Sequence, residues 1–143
     1  MVTIGQITWK INDKSIDAIH EMNQHLFSTK EEFQRFLFTP IQPLMSEIVL
    51  RFGSGTYIDT KDYYTYDNPT GIRPIDIFGA IYTYYNLPMN LREYHKLRAD
   101  TTEFFAPELI RGIQKRIDLL GKQIWLLAVV NVFDVYEVLL MDY

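Results

Sequence analysis

Cysteine is absent from the 143 residues. That excludes a disulfide framework, a thiolate nucleophile and any Cys-based zinc site, and it fits a reducing compartment. Positive charge is scarce: 14 Lys and Arg against 18 Asp and Glu leave a net charge of −4. A general nucleic-acid binder needs the opposite balance, because neutralising phosphates takes a surplus of cations. Long hydrophobic runs are also missing. The best apolar window runs only from residue 124 to residue 133 and contains Asn131, well short of the ~20 residues of a membrane helix. The opening MVTIGQITWKI has no basic stretch ahead of a long apolar run, so no secretory signal is expected. The sequence reads as a soluble, cytoplasmic protein with no membrane partner.

The common reactive patterns are missing as well. His20, Glu21 and His25 resemble a zincin motif, but a spacing of five instead of four turns the second imidazole off the metal-facing side. Gly53-Ser54-Gly55 is followed by a strand-like stretch where a phosphate loop needs a helix N-terminus. Asp59, Asp62 and Asp67 lack the alternating ligands and terminal Glu of a calcium loop. Asp76, Glu93 and Asp118 stand at element starts, where capping accounts for them. No metal, cofactor or catalytic residue is therefore assigned, and the enzyme question leans towards no.

The clearest element is Arg73 to Leu87. Pro74 suits a first helical turn, Asp76 lies on the favourable side of the macrodipole, and Pro88 forbids continuation. Ile77, Phe78, Ile81, Tyr82 and Tyr85 fall on one face, so the helix is a core element. Gly79 lies off that face, and its cost predicts a neighbouring backbone packed close to it.

Upstream, residues 2–11 alternate with Ile7, Trp9 and Ile11 on one side, the period of a half-buried strand. From Ser15 the period turns helical through Ile16, Ile19, Met22, Asn23, Leu26 and Phe27. A capping box of Ser28 and Glu31 predicts a second helix carrying Phe33, Phe36 and Leu37, closed by Pro40 and Pro43. Residues 47–52 alternate again, and the Gly53 to Gly55 turn predicts a hairpin with a return strand at 56–59. Residues 59–70 are acidic, aromatic and poor in aliphatics, which predicts a mobile or binding loop. Short helices are expected from Asn90 and Pro107. Strands at 116–120, 123–130 and 134–142 should form an antiparallel meander. The expected fold is α+β: a single two-layer domain over 1–143, with an antiparallel sheet covered by helices mainly on one face. It divides into an N-terminal strand and helix pair (1–40) and a helix-and-meander core (46–142).

Three stretches carry a family resemblance. They are Ile75, Asp76, Ile77, Phe78, Ala80, Ile81 and Tyr82; then Pro88, Met89, Asn90, Glu93 and Tyr94; then Arg116, Ile117, Asp118, Leu119, Leu120, Gly121 and Lys122. In that order they resemble an uncharacterised domain family common in fungi, over residues 46–142. The family has no established activity, so the resemblance implies a fold and no reaction. The Ile-, Asn-, Lys- and Tyr-rich wording fits an AT-rich genome such as that of a large DNA virus or its protist host.

Two groups of residues are candidates for recognition. Tyr57, Tyr63, Tyr64 and Tyr66 with Asp62 and Asp67 are interaction candidates, because tyrosines concentrate at protein interfaces. Arg111, Lys115, Arg116 and Lys122 can meet an anionic partner, Arg111 and Lys115 being four apart on one helical face. The leading expectation is a non-enzymatic protein–protein interaction or structural module, with a protein partner or self-association into a homo-oligomer. The alternative is a small-molecule-binding or catalytic domain whose site forms only in three dimensions, using the Tyr and Asp side chains with His95. A nucleic-acid role rests on the basic cluster alone.

Overall fold

A computed structural model describes residues 3–13, 15–52, 63–87, 117 and 125–141. Among them are three helices, α1 (Ile16–Met22), α2 (Lys30–Phe38) and α3 (Pro74–Asn86). Four strands form one sheet: β1 (Glu47–Phe52), β2 (Tyr63–Asp67), β3 (Trp125–Val132) and β4 (Val135–Met141), in the order β2-β1-β4-β3. The α+β class is as expected. The sheet, however, is mixed: β1 pairs antiparallel with β2 and β3 with β4, while β1 and β4 run parallel, with Leu50 opposite Tyr136 and Phe52 opposite Val138. The local alternation of each strand is the same whichever way its neighbour runs. Direction is set by non-local pairing.

One face of the sheet is the core. Ile48, Leu50 and Phe52 of β1, Val138 and Leu140 of β4 and Leu126 of β3 share that face and are buried. Above them α3 presents Ile77, Phe78, Ile81 and Tyr85, as its period predicts, and Ala80 and Tyr84 in addition. Phe52 stacks on Tyr84 with ring centroids 3.7 Å apart and meets Tyr85 edge-on at 5.2 Å. Tyr82 is only half-buried. Helix α2 packs beside α3, with Phe33 and Leu37 buried, and α1 adds Ile19.

Several boundaries differ from the sequence expectation, each for a local reason. The N-terminal strand is a 3-10 turn (Ile4–Gln6) followed by extended chain that makes a single bridge, Lys10 to Trp125. Its alternation still buries Ile7, Trp9 and Ile11. Helix α1 stops at Met22 because the side chain of Asn23 turns away to bind backbone: its Oδ1 accepts the Thr8 N–H at 2.8 Å, and its Nδ2 donates to Thr8 C=O and Ile19 C=O. The cap of α2 is Thr29, whose Oγ1 accepts the Glu32 N–H, while Ser28 Oγ donates to the Glu32 carboxylate. The partner of β1 is Tyr63–Asp67, which corrects residues 63–67 of the expected loop over 59–70 to a strand. The expected return strand at 56–59, the helices from Asn90 and Pro107 and the strand at 116–120 lie outside the described residues, apart from Ile117 at the edge of the core.

Gly79 also departs from expectation. A Cβ built there meets nothing within 4 Å, so no neighbouring backbone explains the glycine. Gly79→Ala should therefore raise stability by about 0.5–1 kcal/mol in urea unfolding, the ordinary gain from removing glycine from a helix interior. Asn23→Ala should lower it by roughly 2–4 kcal/mol, because it orphans the Thr8 N–H and C=O beneath a fully buried side chain.

Candidate functional site

The tyrosine stretch divides by face. Tyr64 and Tyr66 stand opposite Leu50 and Ile48, so they turn to the core side and pack partly buried against it. Tyr64 meets Tyr84 edge-on at 6.3 Å. Tyr63 and Asp67 point the other way and are exposed. Strand alternation thus places the four described candidates on opposite faces of β2. Tyr57 and Asp62, and the basic candidates Arg111, Lys115, Arg116 and Lys122, lie outside the described residues, as does His95.

Tyr66 leads to the most connected polar group in the described chain. The Asp76 carboxylate, 4% exposed, accepts from the Arg73 backbone N–H at 2.9 Å and from Asn68 Nδ2 at 2.9 Å. The Arg73 guanidinium reaches it through Nη2 at 3.1 Å and Nε at 3.3 Å, and the Tyr66 hydroxyl lies 3.5 Å away. Burial alone would raise the Asp76 carboxyl. The hydrogen bonds from Arg73 and Asn68 and the guanidinium charge outweigh burial and hold it below its ordinary value. The same pair holds Arg73 above its own, first through the hydrogen bond to Asp76. Every acceptor site is met from within the chain, so the cluster ties the end of β2 to the start of α3 and has no open position for a reactant. The other titratable groups are dispersed. His20 Nε2 is 2.9 Å from the Phe27 carbonyl and its ring stacks on Phe33, while His25 is exposed. Among the described residues no three His, Asp or Glu side chains converge as a metal site.

The exposed apolar surface lies elsewhere. Val130 and Val132 of β3 register with Glu137 and Val135 on the face turned away from the core, and Leu127 sits at a register shift in the same strand; all three are exposed. Lys10 bridges Trp125, the Leu126 N–H donates to Trp9 C=O at 2.9 Å, and Gly5 lies close to Ala128, so the N-terminal segment runs along the first half of this strand, the last in the described sheet. At the far end a two-residue turn joins β3 to β4, with Phe133 at φ 53° and Asp134 at φ 67°. Both central residues in the left-handed region define the tight hairpin turn that ordinarily carries Asn-Gly. Asn131 supports it by accepting the Asp134 N–H at 2.9 Å. Phe133 is 97% exposed. A bulky residue in this backbone region is unfavourable, and no contact among the described residues compensates.

A second feature lies on the helical side. A cavity of about 210 Å³ opens between the N-terminal segment and the helices, walled by Trp9, Phe33, Leu37, Phe78 and Tyr82. Gly79 forms part of the same wall. Trp9 is fixed there by donating Nε1–H to Asp13 C=O at 2.7 Å and by an edge contact with Phe78 at 5.0 Å. The lining is almost wholly apolar and offers no nucleophile paired with a base. None of the sequence-derived candidates lines it.

Sequence reasoning missed both features. The strands expected at 123–130 and 134–142 leave residues 131–133 between them as the turn, whereas β3 continues to Val132 and the turn is Phe133-Asp134. A turn without glycine between two apolar strands was the available signal. The cavity joins segments distant in sequence and has none.

No family model matches the chain, nor does any curated protein or solved structure. The geometry therefore carries the functional reading.

Because Asp76 is held below its ordinary value, its contribution is fully present above the unfolded carboxylate value near 4 and is lost as pH falls through the lower folded value. Asp76→Asn should cost about 1–3 kcal/mol at pH 7 in urea unfolding. The variant should then lose less stability than the parent between pH 5 and pH 2, because it has no carboxylate to protonate there.

Proposed function

We propose that the chain is a non-enzymatic protein-interaction module that meets its partner through the β3–β4 hairpin. The observation that carries this reading is Phe133, an aromatic side chain almost fully in water on a backbone conformation that disfavours it. Burying such a ring against a partner recovers about 1.5–3 kcal/mol of apolar transfer, which the isolated chain forgoes. Leu127, Val130 and Val132 extend the apolar surface along the strand, and exposed contiguous patches of this kind mark interaction sites on water-facing proteins. Tyr63, on the opposite outermost strand, is a secondary contact of the kind tyrosine favours. The alternative, a small-molecule site, rests on the cavity beside α3, which at about 210 Å³ is smaller than the roughly 300–1,000 Å³ usual for metabolite pockets.

The test is photo-crosslinking in a lysate of the source cells, with a benzophenone amino acid replacing Phe133 in the full chain and, as a control, Tyr63. The expected result is a discrete adduct to a second polypeptide from position 133. Recovery of only uncrosslinked or internally crosslinked chain from that position would remove the hairpin as the contact. Phe133→Asn should give the complementary outcome: unchanged or slightly raised thermal stability, because Asn suits the turn, together with at least a tenfold loss of partner capture.

A further inference from the structure

Resting on that reading, we infer that the partner is a second copy of this chain, and that Phe133 of one copy seats in the apolar cavity between α1, α2 and α3 of the other. The two features match in size. An apolar cavity of about 150 Å³ is enough to hold a benzene ring, and this one measures about 210 Å³. They match in chemistry: a phenyl side chain brings no polar atom to be desolvated, and Trp9, Phe33 and Phe78 supply ring edges and faces against it. Gly79 then has a reason. Its missing side chain serves no contact within the fold, but it leaves the cavity wall open, and an added side chain would occupy the volume the ring needs.

The contact must be made between copies. Trp9 is joined to Leu126 at the start of β3, and Phe133 lies beyond the far end of that strand, roughly 20 Å away at the rise of extended chain. A ring that far along the sheet does not fold back into its own cavity. Charge opposes the arrangement mildly: each copy carries −4, Asp13 lines the cavity and Asp134 follows Phe133 in the turn, so the apolar contact has to outweigh a like-charge approach and association should strengthen with added salt. Area sets the strength. An aromatic side chain buries roughly 150–250 Å², so two reciprocal insertions, counting both surfaces, bury on the order of 600–1,000 Å², at or below the low end of specific interfaces. Association is therefore weak and dependent on concentration. The joint uses different surfaces on its two sides, so reciprocal joints about a two-fold axis close a dimer and single joints extend.

The test is sedimentation velocity of the purified full chain from about 10 μM to 1 mM, with Phe133→Ala and Gly79→Leu beside the parent. The parent should gain mass with concentration. Phe133→Ala, which lacks the ring, and Gly79→Leu, which plugs the cavity, should each stay monomeric or need at least tenfold higher concentration. Should Gly79→Leu fail to fold, Gly79→Ala takes its place: it narrows the cavity without loss of thermal stability and should weaken association less severely. A parent that is monomeric at 1 mM would overturn the inference, and so would variants that associate like the parent. If the chain alone is monomeric while position 133 crosslinks a different polypeptide, this inference falls and the interaction reading stands.

Discussion

The seating of Phe52 between two tyrosines of α3 is the contact on which the remainder depends. Phe52 closes β1, the strand that bonds both to β2 and to β4. Its ring lies nearly parallel to Tyr84 and nearly perpendicular to Tyr85, and all three are buried. The edge-on contact with Tyr85 adds about 0.5–1.5 kcal/mol beyond the area it buries, while the close, nearly face-to-face stack on Tyr84 contributes through its buried area. They also restrict orientation, since a ring held flat on one side and edge-on on the other has little freedom to slide. The rotation and height of α3 over the sheet follow from this contact, and with them the direction in which Phe78 and Gly79 face. One layer thus fixes the helix to the sheet, and the adjoining side of the same helix, from Phe78 round to Thr83, forms part of the apolar cavity.

The polar groups inside the fold play a comparable role at its joints. Asp76 binds the exit of β2 to the entry of α3 through Asn68, Tyr66 and Arg73, and Asn23 binds the end of α1 to the extended N-terminal chain. Both are buried and both are satisfied. Such groups contribute modest net stability when paired and a large penalty when a partner is lost. They therefore act as registration points: an alternative docking of either segment would leave them unpaired. The structure places these registers at changes of direction, where apolar packing alone discriminates poorly.

The legible parts of the sequence were those set by neighbours in the chain. Helix α3 could be read almost to the residue because Pro74, Asp76, the apolar period and Pro88 all act within one or two turns. The burial of Ile7, Trp9 and Ile11 followed from alternation alone, although alternation does not say whether the chain finds a ladder, and here it makes one bridge. Residues 63–67 were misread because tyrosine and threonine alternate there without an aliphatic residue, so composition suggested a loop while the period was already that of a strand. The parallel pairing of β1 with β4 and the walls of the cavity depend on segments far apart in the chain, and no local pattern encodes either. Phe133 was legible only as an anomaly, an aromatic residue where a tight turn favours glycine or asparagine.

The parallel junction in the middle of the sheet has a consequence for how the chain reaches its fold. It joins Arg51 to the level of Glu137, so the central strand acquires its second neighbour only when residues far downstream of it are available. Until then the two hairpins are separate units, each formed from contacts close in sequence, and one side of β1 remains an open template. Chains dominated by such distant pairings fold slowly, because loop closure is paid for before the contact rewards it. During synthesis the first hairpin and α3 emerge well before β4. The nascent chain must therefore hold one side of an apolar central strand unpaired until β4 emerges, the stage at which edge-to-edge misassembly has its best opportunity.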